Sequence, residues 1–115
     1  SIDIPTRPEA ALIYRLSGDY NPLHADPKVA RAAGFKAPIL HGLCTYGVAS
    51  RGLIAAVCGG EPDRLTSMQA RFTSPVYPGE TIRVETWTDG GTASFRARVV
   101  ERDVIVLNNG RAEIA

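Results

Sequence analysis

Around Arg64 the hydrophobic pattern of this 115-residue chain changes period. Before it, from His41-Gly42 to Cys58, the residues Leu43, Tyr46, Val48, Ala49, Leu53, Ile54, Ala55, Ala56 and Val57 set apolar side chains round almost the whole circumference of a helix. A helix with that pattern is expected to be buried on nearly all sides. Gly47, Ala49, Ser50 and Gly52 leave room for another backbone to come close, and Gly59-Gly60 ends the helix. After Arg64 the period becomes two. Met68, Ala70 and Phe72 alternate with Ser67, Gln69 and Arg71. Ile82 and Val84 alternate with Arg83 and Glu85, and Ala93, Phe95, Ala97 and Val99 with Ser94, Arg96 and Arg98. Val104 to Ala115 reads as a further, less regular strand. The separators Pro75–Gly79, Asp89-Gly90-Gly91 and Arg102-Asp103 carry turn chemistry.

One long apolar helix followed by an antiparallel meander has a natural solution, in which the sheet curls round the helix and covers it. That is the hot-dog arrangement, of the α+β class. The front half carries no clear strand. Glu9 to Leu16 reads as a short helix stopped by Ser17-Gly18, and Asp26-Pro27 opens a second one through Ala33, ended by Gly34. The length fits a single domain, 1–115.

The net charge is +1, which gives no electrostatic footprint for a nucleic acid or a membrane surface. The longest apolar run holds Arg51 and several glycines, so it reads as a core helix and not a span. Cys44 and Cys58 fit neither a zinc site nor a disulfide framework, and point to a reducing compartment. Trp87 lies in the polar register of its strand, either as a contact with another domain or as a lone exposed aromatic.

The chemistry concentrates in Ser17-Gly18-Asp19-Tyr20-Asn21-Pro22-Leu23-His24. On a continuous helix Asp19 and His24 would point about 140° apart. Pro22 breaks any such helix, and Asn21-Pro22 favours a turn that can bring carboxylate and imidazole together. A carboxylate and an imidazole are a sensible pair for holding and activating a water near neutral pH. The same residues also serve as an ordinary cap and turn, and spacing alone leaves both readings open. Ser17 either orients Asp19 or His24 or caps the preceding helix. At His41-Gly42 the long helix begins, with backbone N–H groups that lack partners. Gly42 has no side chain to keep a ligand from its N–H, which could act as an oxyanion-hole donor, or simply lie at an unliganded helix start. Lys36, Arg64 and Arg71 are candidates for substrate phosphates or plain surface charge. Asp19, His24 and His41 together show no recognised metal-ligand spacing.

The stretch from Tyr14 to Arg51, YRLSGDYNPLHADPKVARAAGFKAPILHGLCTYGVASR, closely resembles the MaoC-like (R)-specific 2-enoyl-CoA hydratases. Its motif Asp-x-Asn-Pro-x-His, followed by a His-Gly helix start, is highly specific when both parts occur in this order. Arg71-Phe72 and Pro75-Val-Tyr-Pro-Gly79 extend the similarity over nearly the whole chain. The nearest likeness is to the catalytic C-terminal half of the two-hot-dog type 2 enzymes. The resemblance implies that Asp19 and His24 hold the water, that Asn21 supports their geometry, and that the Gly42 N–H contacts the thioester carbonyl. It assigns His41, Ser17, Lys36, Arg64 and Arg71 to the substrate's surroundings. The implied reaction is reversible syn hydration of a trans-2-enoyl-CoA to an (R)-3-hydroxyacyl-CoA, with no metal and no redox cofactor. The alternatives are a dehydratase of carrier-protein or specialised CoA thioesters, and a non-catalytic hot-dog partner. Two-hot-dog enzymes are about twice this length, so the chain is expected to be one half of such an enzyme or a homodimer. Either way a second hot dog should sit beside it. The expected compartment is the cytoplasm, or the peroxisome in a eukaryotic multifunctional enzyme.

Overall fold

A computed structural model describes all residues, Ser1 to Ala115. Its elements are β1 (Ile2–Pro5), α1 (Ala10–Arg15), α2 (Pro27–Ala32), α3 (Gly42–Val57), β2 (Leu65–Phe72), β3 (Thr81–Asp89), β4 (Thr92–Val99) and β5 (Val104–Ile114), with 3-10 turns at Pro22–His24 and Pro62–Arg64. The five strands form one sheet in the order β1-β3-β4-β5-β2, with every neighbouring pair antiparallel.

The alternation in the back half sets which side of the sheet is wet. Ile82, Val84, Ala93, Phe95, Ala97 and Val99 are all buried and face α3, while Arg83, Glu85, Arg96 and Arg98 lie between them on the other side. There Arg83 pairs with Asp3, and Glu85 takes hydrogen bonds from Arg96 and Arg98. These bonds, Arg96 first, hold the Glu85 carboxyl below the usual range. Trp87 sits on this face with the Arg96 guanidinium 5.3 Å from its ring centre. A two-residue turn, Gly90-Gly91, joins β3 to β4 and keeps Asp89 opposite Thr92.

Two expectations need correction. The strands do not run as a simple meander: only β3, β4 and β5 do, and β2 crosses to pair with β5. β1 was not foreseen. It is four residues long, and its register of Ile2 on Val84 and Ile4 on Ile82 extends the inner face by one strand. Second, α3 is not buried all round. Thr45, Ala49, Gly52 and Leu53 form its buried face, on the i, i+4, i+7, i+8 spacing of one stripe. On the opposite side Leu43 is 65 % exposed, and Gly47, Arg51, Ala55 and Ala56 are exposed with it. The sheet covers one side of the helix, and nothing in a single chain covers the other.

α3 touches β1 and β3 near one edge of the sheet and β2 at the opposite edge. Five strands span roughly 19 Å at about 4.8 Å spacing, wider than a helix of about 10 Å. One helix can reach both edges only if the sheet bends round it, which is the hot-dog arrangement. The close approach is set by Gly52, where an added Cβ would lie 2.7 Å from Val84 Cγ2 and 3.3 Å from Ile2 Cγ2.

This packing makes two glycines of one helix behave oppositely. Gly52→Ala should lose about 1–3 kcal/mol through overpacking against β3, despite the better helix propensity of alanine. Gly47, which has nothing within 4 Å of a built Cβ, should gain about 0.5–1 kcal/mol as Gly47→Ala. Urea midpoints of the two variants of this chain check both signs.

Candidate active site

The site is built on the loop between α1 and α2 and on the strap that leads into α3. α1 closes with Gly18 at φ +115°, a left-handed turn that suits glycine. Asp19 follows with its side chain 53 % exposed, and its Oδ1 accepts from Asn21 N–H at 3.3 Å. Asn21 Oδ1 in turn accepts from Leu23 N–H at 3.0 Å and caps the 3-10 turn Pro22–His24. Pro22 needs no N–H at that first position, so two Asx bonds and one proline fold the loop over itself. Asp26 repeats the device one turn later, capping α2 through Lys28 N–H.

The strap from Ile39 to Gly42 lies under this loop. His24 Nδ1 donates to Ile39 O at 2.8 Å. A carbonyl can only accept, so the proton is on Nδ1, and Nε2 keeps its lone pair for chemistry. His41 Nε2 donates to Asp19 O at 3.2 Å, and the two imidazoles stack with centroids 3.9 Å apart and 25° between planes. The Tyr14 ring rests against His41, 4.5 Å from its centre. One ligand-capable atom from each of Asp19, His24 and His41 lies within 4.8 Å of the others. A water that donates to two acceptors at about 2.8 Å each, with a tetrahedral angle between them, spans roughly 4.6 Å. The Asp19 carboxylate and the His24 ring therefore lie within the range that one bridging water covers.

A metal fits this trio poorly. Its ring N–H groups are committed to Ile39 O and Asp19 O, and the remaining His41 nitrogen, Nδ1, is buried, which leaves His24 Nε2 and the Asp19 carboxylate as the accessible ligand atoms. Structural and catalytic zinc sites take at least three protein ligands.

Gly42 is the first residue of α3 and is exposed. It lines a cleft of about 220 Å³ with Phe35, Ile39, Thr45, Phe72 and Val76. A Cβ on Gly42 would lie 3.3 Å from Phe72 Cε1, so any side chain there would crowd the ring. On the other flank of the strap, His24 lines a second cleft of about 270 Å³ with Leu12, Ala25, Pro38 and Tyr77. Both clefts share the loop Pro75–Glu80. Leu40 N–H donates to Val76 O at 2.7 Å, and Arg102 clamps the loop through Glu80 and Pro75 O.

The remaining candidates scatter. Lys36 sits over the Tyr77 ring at 4.7 Å, on the rim of the His24 cleft. Arg71 is exposed on β2 beside Phe72. Ser17 lines a shallow depression with Arg7, Ile13, Tyr14 and Cys44, whose thiol burial pushes its pKa up. Arg64 lies at the far end of α3, about 24 Å of helix from Gly42, and donates to Ala115 O. It bonds the main chain just after β5 and is not brought to the site. His41 is 1 % exposed behind His24, so it faces other protein groups and not the clefts. Ile39 and Tyr14 were not singled out from the sequence. Ile39 acts through its carbonyl, which every residue owns. Tyr14 had no signal beyond an aromatic ring five residues before Asp19.

The chain is similar to known proteins over nearly its whole length. It is 55 % identical to the 3-hydroxyacyl-thioester dehydratase Y of Mycobacterium tuberculosis, over 97 % of this chain and 41 % of that protein. It is 50 % identical to the peroxisomal enoyl-CoA hydratase 2 of Arabidopsis thaliana, over 89 % of this chain and 33 % of that protein. The chain therefore spans well under half the length of these relatives. Among solved structures, a MaoC-like dehydratase from Phytophthora capsici superposes with a TM-score of 0.95 at 47 % identity, covering 99 % of this chain and 39 % of that one. The family model for the MaoC-like domain matches residues 1–110, and the chain belongs to the MaoC-like dehydratase family.

Proposed function

We propose that this chain is the catalytic hot-dog domain of an (R)-specific 2-enoyl-CoA hydratase. The observation that carries the reading is the fixed tautomer of His24, bonded through Nδ1 to Ile39 O, next to a half-exposed carboxylate. His24 Nε2 and the Asp19 carboxylate are both acceptors. A water between them points both of its hydrogens at protein and its lone pairs outward, toward C3 of a bound enoyl thioester. The Gly42 N–H, at the positive end of α3, lines the neighbouring cleft across the strap, so this reading requires the substrate to reach both clefts, with its thioester oxygen on that N–H. As the water oxygen bonds to C3, one of its protons passes to the pair. The C2=C3 electrons move toward the thioester oxygen, and the proton held by the pair is then placed on C2. Water is consumed, the double bond becomes single, and no electrons leave the system. Hydroxyl and hydrogen arrive from the same side, which gives syn addition. No cofactor is needed for these steps.

The reverse direction, dehydration of a 3-hydroxyacyl thioester, uses the same atoms, and the name of the 55 %-identical relative favours keeping it as the second reading. A non-catalytic role is the third; the retention of Asp19, Asn21, His24 and Gly42 together argues against it. No helix is long and apolar enough to cross a membrane. We place the protein in the cytoplasm, or in the peroxisome if its source is eukaryotic.

The second hot dog belongs against the open side of α3 and the free edge of β2. Leu43, Phe72, Leu12 and Ile13 on α1, and Leu16 just after it are all more than half exposed. An edge strand beside so much apolar surface is a pairing template. The partner is a second copy or the other half of a longer enzyme.

Two experiments test these readings. Crotonyl-CoA and a longer enoyl-CoA are followed by loss of the conjugated thioester absorbance near neutral pH. Asp19→Asn and His24→Gln should each lower kcat by about 10²–10⁴-fold with the fold intact. Full retention by either variant refutes the mechanism; turnover of carrier-protein thioesters alone selects the second reading, and none at all the third. Sedimentation velocity of the chain should show concentration-dependent association that Leu43→Glu abolishes. Unchanged association in that variant would move the interface away from α3.

A further inference from the structure

His41 stands apart from the other site residues because it is buried, lines neither cleft, and still touches every working part. Its Nε2–H donates to the main-chain oxygen of Asp19 at 3.2 Å, while the nearer Asp19 carboxylate oxygen lies 3.9 Å off, beyond a hydrogen bond. Its ring is the floor on which the His24 ring stacks, with Tyr14 against it as well. Its own backbone is the N-cap of α3, accepting from Thr45 N–H and leading directly to Gly42. Carboxylate loop, imidazole and helix start therefore meet on one side chain.

That side chain is an expensive choice if packing were its only task. Nδ1 is buried with no hydrogen-bond partner. An unsatisfied buried polar atom is destabilising, and a phenyl ring would fill much of the same space without one. The compensating contribution is the Nε2–H. With Nδ1 facing no acceptor, the ring is held in the Nε2–H tautomer, the one that donates to Asp19 O. The two stacked histidines thus hold opposite tautomers: His24 with its proton on Nδ1 and His41 with its proton on Nε2.

We propose that His41 is a positioning residue for hydration: it holds the Asp19 main chain and the His24 ring plane in register with Gly42, and makes no contact with substrate. The proposal rests on the hydratase reading for its kinetic consequence, but not for its structural one. The tautomer pair is read by long-range ¹H–¹⁵N NMR on the chain itself, with or without activity. The expected spectrum assigns Nδ1–H to His24 and Nε2–H to His41; any other pair of tautomers overturns the proposal, even if the chain is a fully active hydratase. An inactive chain with the expected tautomers would instead refute the hydratase reading and leave the register function standing.

Variants then separate donor from packing. His41→Phe keeps a ring under His24 and removes the donor; His41→Gln keeps an N–H of similar reach and removes the ring. In the assembly that carries parental activity, the Phe variant should lose about 10²-fold in kcat with KM changed less than about threefold, as expected for misplacing a catalytic group by about 1 Å. The Gln variant should recover at least part of that loss. A Phe variant with unchanged kcat overturns the proposal, and so does a Gln variant that falls as far as Phe, since a purely packing role predicts that order. If the Phe variant does not fold, the parental spectrum and the Gln variant decide.

Discussion

The strap from Ile39 to Gly42 is held from both sides by main-chain groups, and the site could not exist without that grip. Leu40 N–H reaches Val76 O on one side; Ile39 O receives His24 Nδ1 on the other, and His41 reaches across to Asp19 O. The strap is anchored in turn by α3, whose Gly52 lets the helix settle against Val84 and Ile2. Core packing, helix position and imidazole tautomer are therefore one chain of cause. A shift of the helix along the sheet would carry Gly42 and His41 with it and pull the strap from under the loop.

The arginines show where the charge of this chain is spent. Arg83, Arg96 and Arg98 bind Asp3, Glu85 and Asp103 across the outer face of the sheet, and Arg102 locks the Pro75–Glu80 loop through Glu80. Arg64 holds the last residue. The direct worth of these pairs to stability is small, since most are partly solvated. Their use lies in satisfying the acidic side chains on strands whose opposite face carries the buried apolar set Ile82, Val84, Phe95, Ala97 and Val99.

Much of this was legible in the sequence, for reasons that differ by element. β3 and β4 alternate because one face is dry, and the buried set Ile82 to Val99 can be read straight off. The loop from Asp19 to His24 could be read because Asx bonds and proline act locally. β1 could not, since four residues give too short a period, and its pairing with β3 lies some 80 positions away along the chain. The exposure of α3 was misjudged because an apolar circumference says what a helix needs covered, not how much of the cover one chain supplies. Ile39 was invisible because its contribution is a carbonyl, and the place of Arg64 could not be read because a guanidinium looks alike in sequence whether it faces a phosphate or bonds a main-chain carbonyl.

Phe72 carries a consequence of its own. Its ring borders Gly42 closely enough that a methyl there would press on it, yet more than half of the residue is open to solvent on an edge strand with one side free. One aromatic plate is thus a doorpost for the helix amide and part of the surface on which a neighbour would lean. Quaternary contact and the width of the entrance share a single hinge-free component, so tightening one leaves the other less room to vary.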